Sequence, residues 1–192
     1  MRRAPVLPMQ VRGWLWAGLF LLAASLGLAS QARADTAADI SRDAHAALER
    51  LYKQEPRTRQ LGEKAVAVLV FPSILKGGLL VGAEHGDGAL IRGGKVHGYY
   101  TVTAVSFGLQ AGAQQFGYAL FFMNEPALRF LDQSDGWSLG SGPSLVVVDQ
   151  GYAASVSTTT LTQDVYAVPF GEQGLMAGMG LEGSKISRSN PN

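Results

Sequence analysis

AVAVLVFPSILKGGLLVGAEHGDG, residues 65–88, sets the pattern for everything downstream of it. Its first seven residues, Ala65–Phe71, are apolar without a break, as in a strand covered on both faces or lying beneath helices. Pro72 then bounds a turn carrying one cation, Lys76, and a glycine-spaced segment follows. That segment, Gly78–Ala83, has the form Gly-Leu-x-small-Gly, which recurs at Gly108–Ala113 and Gly174–Met179. Residues four apart in a strand share a face. Each block therefore offers a bare strip where the sheet can bend or another backbone can approach.

On the N-terminal side the period is helical. Thr36 and Asp39 have capping-box spacing. Ile40, Ala44, Ala47, Leu48, Leu51 and Tyr52 then fall on one face of a helix predicted over Thr36–Gln54. Pro56 breaks it, and a second short helix is expected over Pro56–Lys64. On the C-terminal side strands come at short intervals. Gly86-Asp87-Gly88 and Arg92-Gly93-Gly94-Lys95 both read as hairpin turns. Strands are expected at Val96–Ala104, Ser106–Gln114, Gly117–Met123, Ser144–Asp149, Ala154–Thr159, Val165–Phe170 and Leu175–Leu181. A short helix capped by Asn124 runs to about Leu131, and Ser187–Asn192 reads as a frayed polar tail. The fold class is α+β: an N-terminal amphipathic helix packed on a strongly curved, mostly antiparallel, many-stranded sheet, barrel- or sandwich-like.

Residues 1–34 read as a secretory signal. Arg2, Arg3 and Arg12 form a basic start, Trp14–Ala29 is an apolar run, and Ala32-Arg33-Ala34 supplies small residues before a cleavage point after Ala34. The remaining 35–192 form one domain, with a helical part to residue 64, a Gly-rich β part over 65–186 and the tail. Four of the sixteen Lys/Arg and none of the fifteen acids lie in the signal, so residues 35–192 carry a net charge of −3. That balance argues against nucleic acid as a partner. There is no cysteine, which excludes thiol chemistry and leaves stability to the core. The expected compartment is a bacterial periplasm.

Catalytic signatures are absent from the sequence. The histidines are His45, His85 and His97. His85-x-Asp87 beside Glu84 lacks a third metal ligand at a recognisable spacing. No Gly-x-Ser-x-Gly elbow or phosphate-binding loop occurs. No catalytic residue, metal ligand or cofactor is assigned. Lys76, Arg92, Lys95 and Lys185 each flank a glycine turn or a strand end. Brought together, they would form a basic patch for a lipid phosphate or another anionic group.

Four ordered blocks carry a resemblance to a known family: AVLVFPSILKGGLLVGAEHGDGAL (67–90), GYYTVTAVSFGLQAGAQ (98–114), GWSLGSGPSLVVVDQG (136–151) and TTTLTQDVYAVPFGEQGLMAGMGLEGSKISR (158–188). Together they resemble the SYLF domain, a lipid- or actin-binding family, over roughly residues 44–188. The resemblance implies an exported, single-domain bacterial member without enzymatic activity. It places Lys76 and Lys185 at the family's basic positions beside the first and last glycine blocks. The expected partner is an anionic lipid or membrane surface. The alternative is an interaction module that uses its Gly-rich strands to contact an envelope protein or a second copy.

Overall fold

The structure, a computed structural model, describes residues 35–78, 81–107, 112–133, 136–148, 161–171 and 183–192. Helix α1 (Ala37–Gln54) opens where the capping spacing puts it: the Thr36 hydroxyl accepts from the Asp39 amide at 3.2 Å and donates to the Asp39 carboxylate at 2.7 Å. Pro56 starts α2 (Pro56–Lys64) at the position where a missing N–H is harmless. Eight strands follow: β1 (Ala67–Gly78), β2 (Val81–Arg92), β3 (Lys95–Phe107), β4 (Gly112–Phe122), β5 (Trp137–Ser138), β6 (Leu145–Val147), β7 (Val165–Phe170) and β8 (Lys185–Ser189). Between β4 and β5 lie the one-turn helix α3 (Glu125–Leu128), capped by Asn124, and a 3-10 turn over Arg129–Asp132.

All eight strands belong to one curled sheet in the order β5-β8-β3-β2-β1-β4-β7-β6. Every pairing is antiparallel except β6 with β7. The α+β, curved-sheet expectation holds, with that one parallel pair added. β1 occupies the middle, between β2 and β4, and Ala67–Phe71 are buried to the last residue. The uninterrupted apolar run is thus explained: both faces of the strand are covered. On one face Val68 and Val70, with Ala89, Ile91, Phe121 and Tyr166, meet Ile40, Ala44, Ala47, Leu48 and Leu51 of α1. On the other, Leu69 and Phe71 join Tyr100, Leu120, Phe122 and Trp137 in a second core. Each large side chain so buried stabilises the fold by about 1.5–3 kcal/mol.

The curl has a local cause. Between Phe71 and Ile74 the register of β1 slips against both neighbours, a bulge that bends and twists the strand. β2 passes this bulge with glycines. A Cβ on Gly86 would lie 2.7 Å from the Ser73 carbonyl oxygen, and one on Gly88 would lie 2.6 Å from the Val70 carbonyl oxygen and 2.5 Å from the Phe71 ring. Gly86-Asp87-Gly88 is therefore not a turn, as the sequence suggested, but the middle of β2 where two backbones close on each other. Gly88→Ala is expected to destabilise by about 1–3 kcal/mol through overpacking. Chemical denaturation measures it, and wild-type stability would show that the approach is looser than this.

Other boundaries also shift. Arg92-Gly93-Gly94-Lys95 is the hairpin turn expected, with φ of +57° and +75° at the glycines. β3 runs unbroken to Phe107, so Ser106 closes that strand instead of opening the next. The C-terminal residues are not a frayed tail: Lys185–Ser189 pair with β3, anchored by the fully buried Ile186, and the Asn192 carbonyl accepts from the Ala37 amide at 3.1 Å. The first glycine block also reads differently. Gly78 ends β1 and pairs with Gly82 of β2, with Gly112 of β4 on the far side of Gly78. The second block is described only from Gly112 onward. The third block, the strands expected at Ala154–Thr159 and Leu175–Leu181, and Asp149 lie outside the described residues.

Asp164 secures the parallel pair. Its carboxylate accepts from the Ser144 amide (2.9 Å), the Ser144 hydroxyl (2.8 Å) and the Asn124 side-chain amide (2.7 Å). These bonds, the Ser144 amide foremost, hold the Asp164 carboxyl below the usual carboxylate range. One side chain thereby joins the loop before β6, the start of β7 and the cap of α3.

Candidate surface-binding site

Cross-strand partners share a face of the sheet and successive residues alternate, so the register places every candidate cation. Lys76 pairs with Glu84, and Glu84 with Ala104. Their side chains lie on the face away from α1, where the Lys76 ammonium stands 2.6 Å from the Glu84 carboxylate. The Glu84 side chain is 3% exposed and that of Lys76 16%. Glu84 also adds to the effect of burial in raising the Tyr118 phenol above its ordinary range. Lys185 pairs with Thr103, the neighbour of Ala104, and so faces the opposite, helix-bearing side. Arg92 and Lys95 flank the hairpin turn eight residues further along β2 from Glu84, about 26 Å away at strand rise. There Arg92 is ion-paired with Glu125. The structure brings Arg92 and Lys95 side by side but does not unite the four cations. Lys76 is internally neutralised, and Lys185 stands alone on its face.

Glu84 and His85 likewise point to opposite faces, which separates the acid from the His85-x-Asp87 pair. His85 and Asp87 share the helix-bearing face, Nε2 to Oδ2 3.9 Å, and Asp87 accepts from the Thr101 hydroxyl at 2.6 Å. His45 is bound into α1, with Nδ1 2.8 Å from the Ser41 carbonyl and Nε2 3.2 Å from the Gly94 carbonyl.

What the register does assemble is a surface that no motif announced. α1 covers the helix-bearing face only at the hairpin-turn end. Beyond it the row Leu75, His85, Thr103, Lys185 crosses four strands. Next comes the row Gly77, Ala83, Val105, and then Val81 at the rim. Leu75, Val81 and Val105 are 61%, 56% and 67% exposed, the large apolar side chains left uncovered among the described residues. Lys185 and His85 stand directly behind them.

A second feature lies on the helices. The α1–α2 elbow, residues 50–64, carries Arg50, Lys53, Arg57, Arg59 and Lys64 against Glu55 and Glu63, a local excess of positive charge in a segment of opposite overall sign. That count was available from the sequence. The exposed apolar end was not, because it depends on where the helix stops covering the sheet. Among the described residues no helix is long and apolar enough to cross a membrane.

The fold is a helix on a bulged, curled sheet, with its candidate residues spread over a surface. Residues 103–191, from β3 through β8, match the family model described as Ysc84, Las17-binding protein actin regulator, consistent with the SYLF-domain family that the blocks resemble. That family is one of binding domains. No curated protein matches the chain.

Proposed function

We propose that the protein is an exported, non-catalytic periplasmic domain that docks on an anionic lipid surface of the envelope through the open end of its helix-bearing face. One observation carries the reading: Leu75, Val81 and Val105 project from the same face and end of the sheet as Lys185. Apolar tips seated at the headgroup boundary with a cation behind them match the two terms of interfacial binding, buried apolar area and attraction to anionic lipid. The basic α1–α2 elbow adds charge of the right sign. Of the cations flanking glycine turns, Lys185 keeps a direct role, Arg92 and Lys95 serve as a distant auxiliary pair, and Lys76 serves the fold. Export rests on the Arg2–Ala34 segment.

Vesicle co-sedimentation tests the reading. Wild type is expected to sediment with phosphatidylglycerol vesicles, less so as salt rises, and weakly with phosphatidylcholine. Val81→Asp with Val105→Asp is expected to weaken binding at least tenfold, since each valine loses apolar burial worth about 1–2 kcal/mol and gains a repelled charge. Lys185→Glu is expected to weaken it several-fold, near the ~1 kcal/mol of one cation at such a surface. Absence of sedimentation with either vesicle, together with an oligomer that grows with concentration, would transfer the apolar end to a protein–protein interface. The actin-regulator description of the family makes that the second reading.

A further inference from the structure

A cleft of about 250 Å³ opens on the helix-bearing face where the last turn of α1 meets the β1 bulge. Arg50 and Gln54 of α1, Pro72 of β1, Gln115 and Gly117 of β4, and Phe170 of β7 line it. The Phe170 ring lies so close over Gly117 that a Cβ there would sit 2.3 Å from it, which gives the cleft a flat aromatic floor. Among the described residues lining it there is no carboxylate, and Arg50 is the cation. Elsewhere Arg42, Arg59, Arg92 and Arg188 each rest against an acid. Among the described residues Arg50 meets none, so its guanidinium fork keeps its donors for a ligand.

We infer that this cleft is a subsite for the phosphate of a glycerophospholipid, with Arg50 as its anchor. The chemistry follows from the lining. A free guanidinium recognises phosphate oxygens in bidentate fashion, and Gln54 contributes a neutral amide donor. The carbonyls of the last turn of α1 oppose an anion with about half a unit of charge, which the full charge of Arg50 exceeds at comparable distance. The size excludes a whole lipid: clefts that engulf drug-sized molecules run from about 300 to 1,000 Å³. A headgroup with its glycerol stem on Phe170 and Pro72 is the piece that fits. The exit is apolar in the right direction. Gln115 pairs across the strands with Leu75, the first of the exposed apolar residues, so acyl chains leaving the cleft pass over the same end that would meet a bilayer. This subsite deepens the lipid-surface reading and rests on it.

The test uses the full chain and a soluble probe, dihexanoyl phosphatidate below its micelle concentration, followed by amide NMR. The expected result is saturable shifts at Gln54, Gly117 and Gly171, with affinity at least tenfold weaker in Arg50→Gln. Arg50 is exposed, so the variant folds as wild type does. Glycerol 3-phosphate should bind at least tenfold more weakly than the lipid; equal affinity would overturn the lipid as source in favour of a free phosphate. Unshifted amides, or unchanged affinity in Arg50→Gln, would dismiss the subsite whatever vesicles do. Val81→Asp with Val105→Asp separates the two claims. It should weaken vesicle sedimentation while leaving the phosphatidate shifts intact; in the wild type, sedimentation without saturable shifts would overturn the subsite alone, and shifts without sedimentation would overturn the surface reading alone.

Discussion

Glu84→Ala is expected to destabilise the folded protein by about 3 kcal/mol. The carboxylate lies 2.6 Å from the Lys76 ammonium with only 3% of its side chain exposed. Removing one member of a buried pair leaves the other charged and unpaired, a change worth about 3–5 kcal/mol. The low end applies because Lys76 is 16% exposed and its long stem can bring the ammonium to water. The pair itself contributes little beyond an apolar substitute. Lys76→Met with Glu84→Leu is therefore expected to fall within about 1 kcal/mol of wild type, on either side. Urea denaturation of the three proteins measures both values. A Glu84→Ala variant as stable as wild type would mean that the pair is open to solvent. The pairing bears on function as well, because Lys76→Glu would place two acids in this site and so cannot report on lipid binding.

Trp137→Ala is the other large expected effect, about 3–5 kcal/mol. The indole is fully buried, its ring centroid 5.8 Å from that of Phe122, and its N–H donates to the Ser141 carbonyl at 2.8 Å. It is one of only two residues in β5, and it pairs with Ile186 of β8. Losing the ring removes the weight that holds β5 against the sheet and opens a cavity beside Phe122. Trp137→Phe keeps most of that volume and should lose less than half as much. Thermal and urea unfolding would check the order. Equal losses for the two variants would assign the effect to the indole hydrogen bond instead of the packing.

How much of this was legible depended on how local the cause was. The capped helix at Thr36, the break at Pro56, the Gly93-Gly94 turn and the buried run of β1 are each written within a few neighbouring residues, and each stands where the sequence placed it. Gly86 and Gly88 misled because glycine serves equally where a chain turns and where two chains crowd. Only the partner strand, bulged at Pro72-Ser73, tells the cases apart. β8 was missed since Lys185-Ile186-Ser187 is too short to show alternation, yet the buried Ile186 suffices to anchor it.

The cations show the limit most directly. Lys76 and Lys185 both flank glycine blocks, but a single residue of register decides which face each one takes. For Lys185 that register was set by a pairing with Thr103, about eighty residues earlier in the chain. The partner of Lys76 was closer at hand: Glu84 lies on the next strand, in the register that pairs Gly78 with Gly82, and finding that register would have revealed it. Arg50 went unremarked because an amphipathic helix gives no sign of where its last turn overhangs a bulge.

Among the described residues the margins of the sheet are β5 and β6, two and three residues long, and the second runs parallel to its neighbour. A stray extended segment arriving at either border finds too few unpaired rungs to gain a foothold. Those two borders, so truncated, offer little template for a growing fibre.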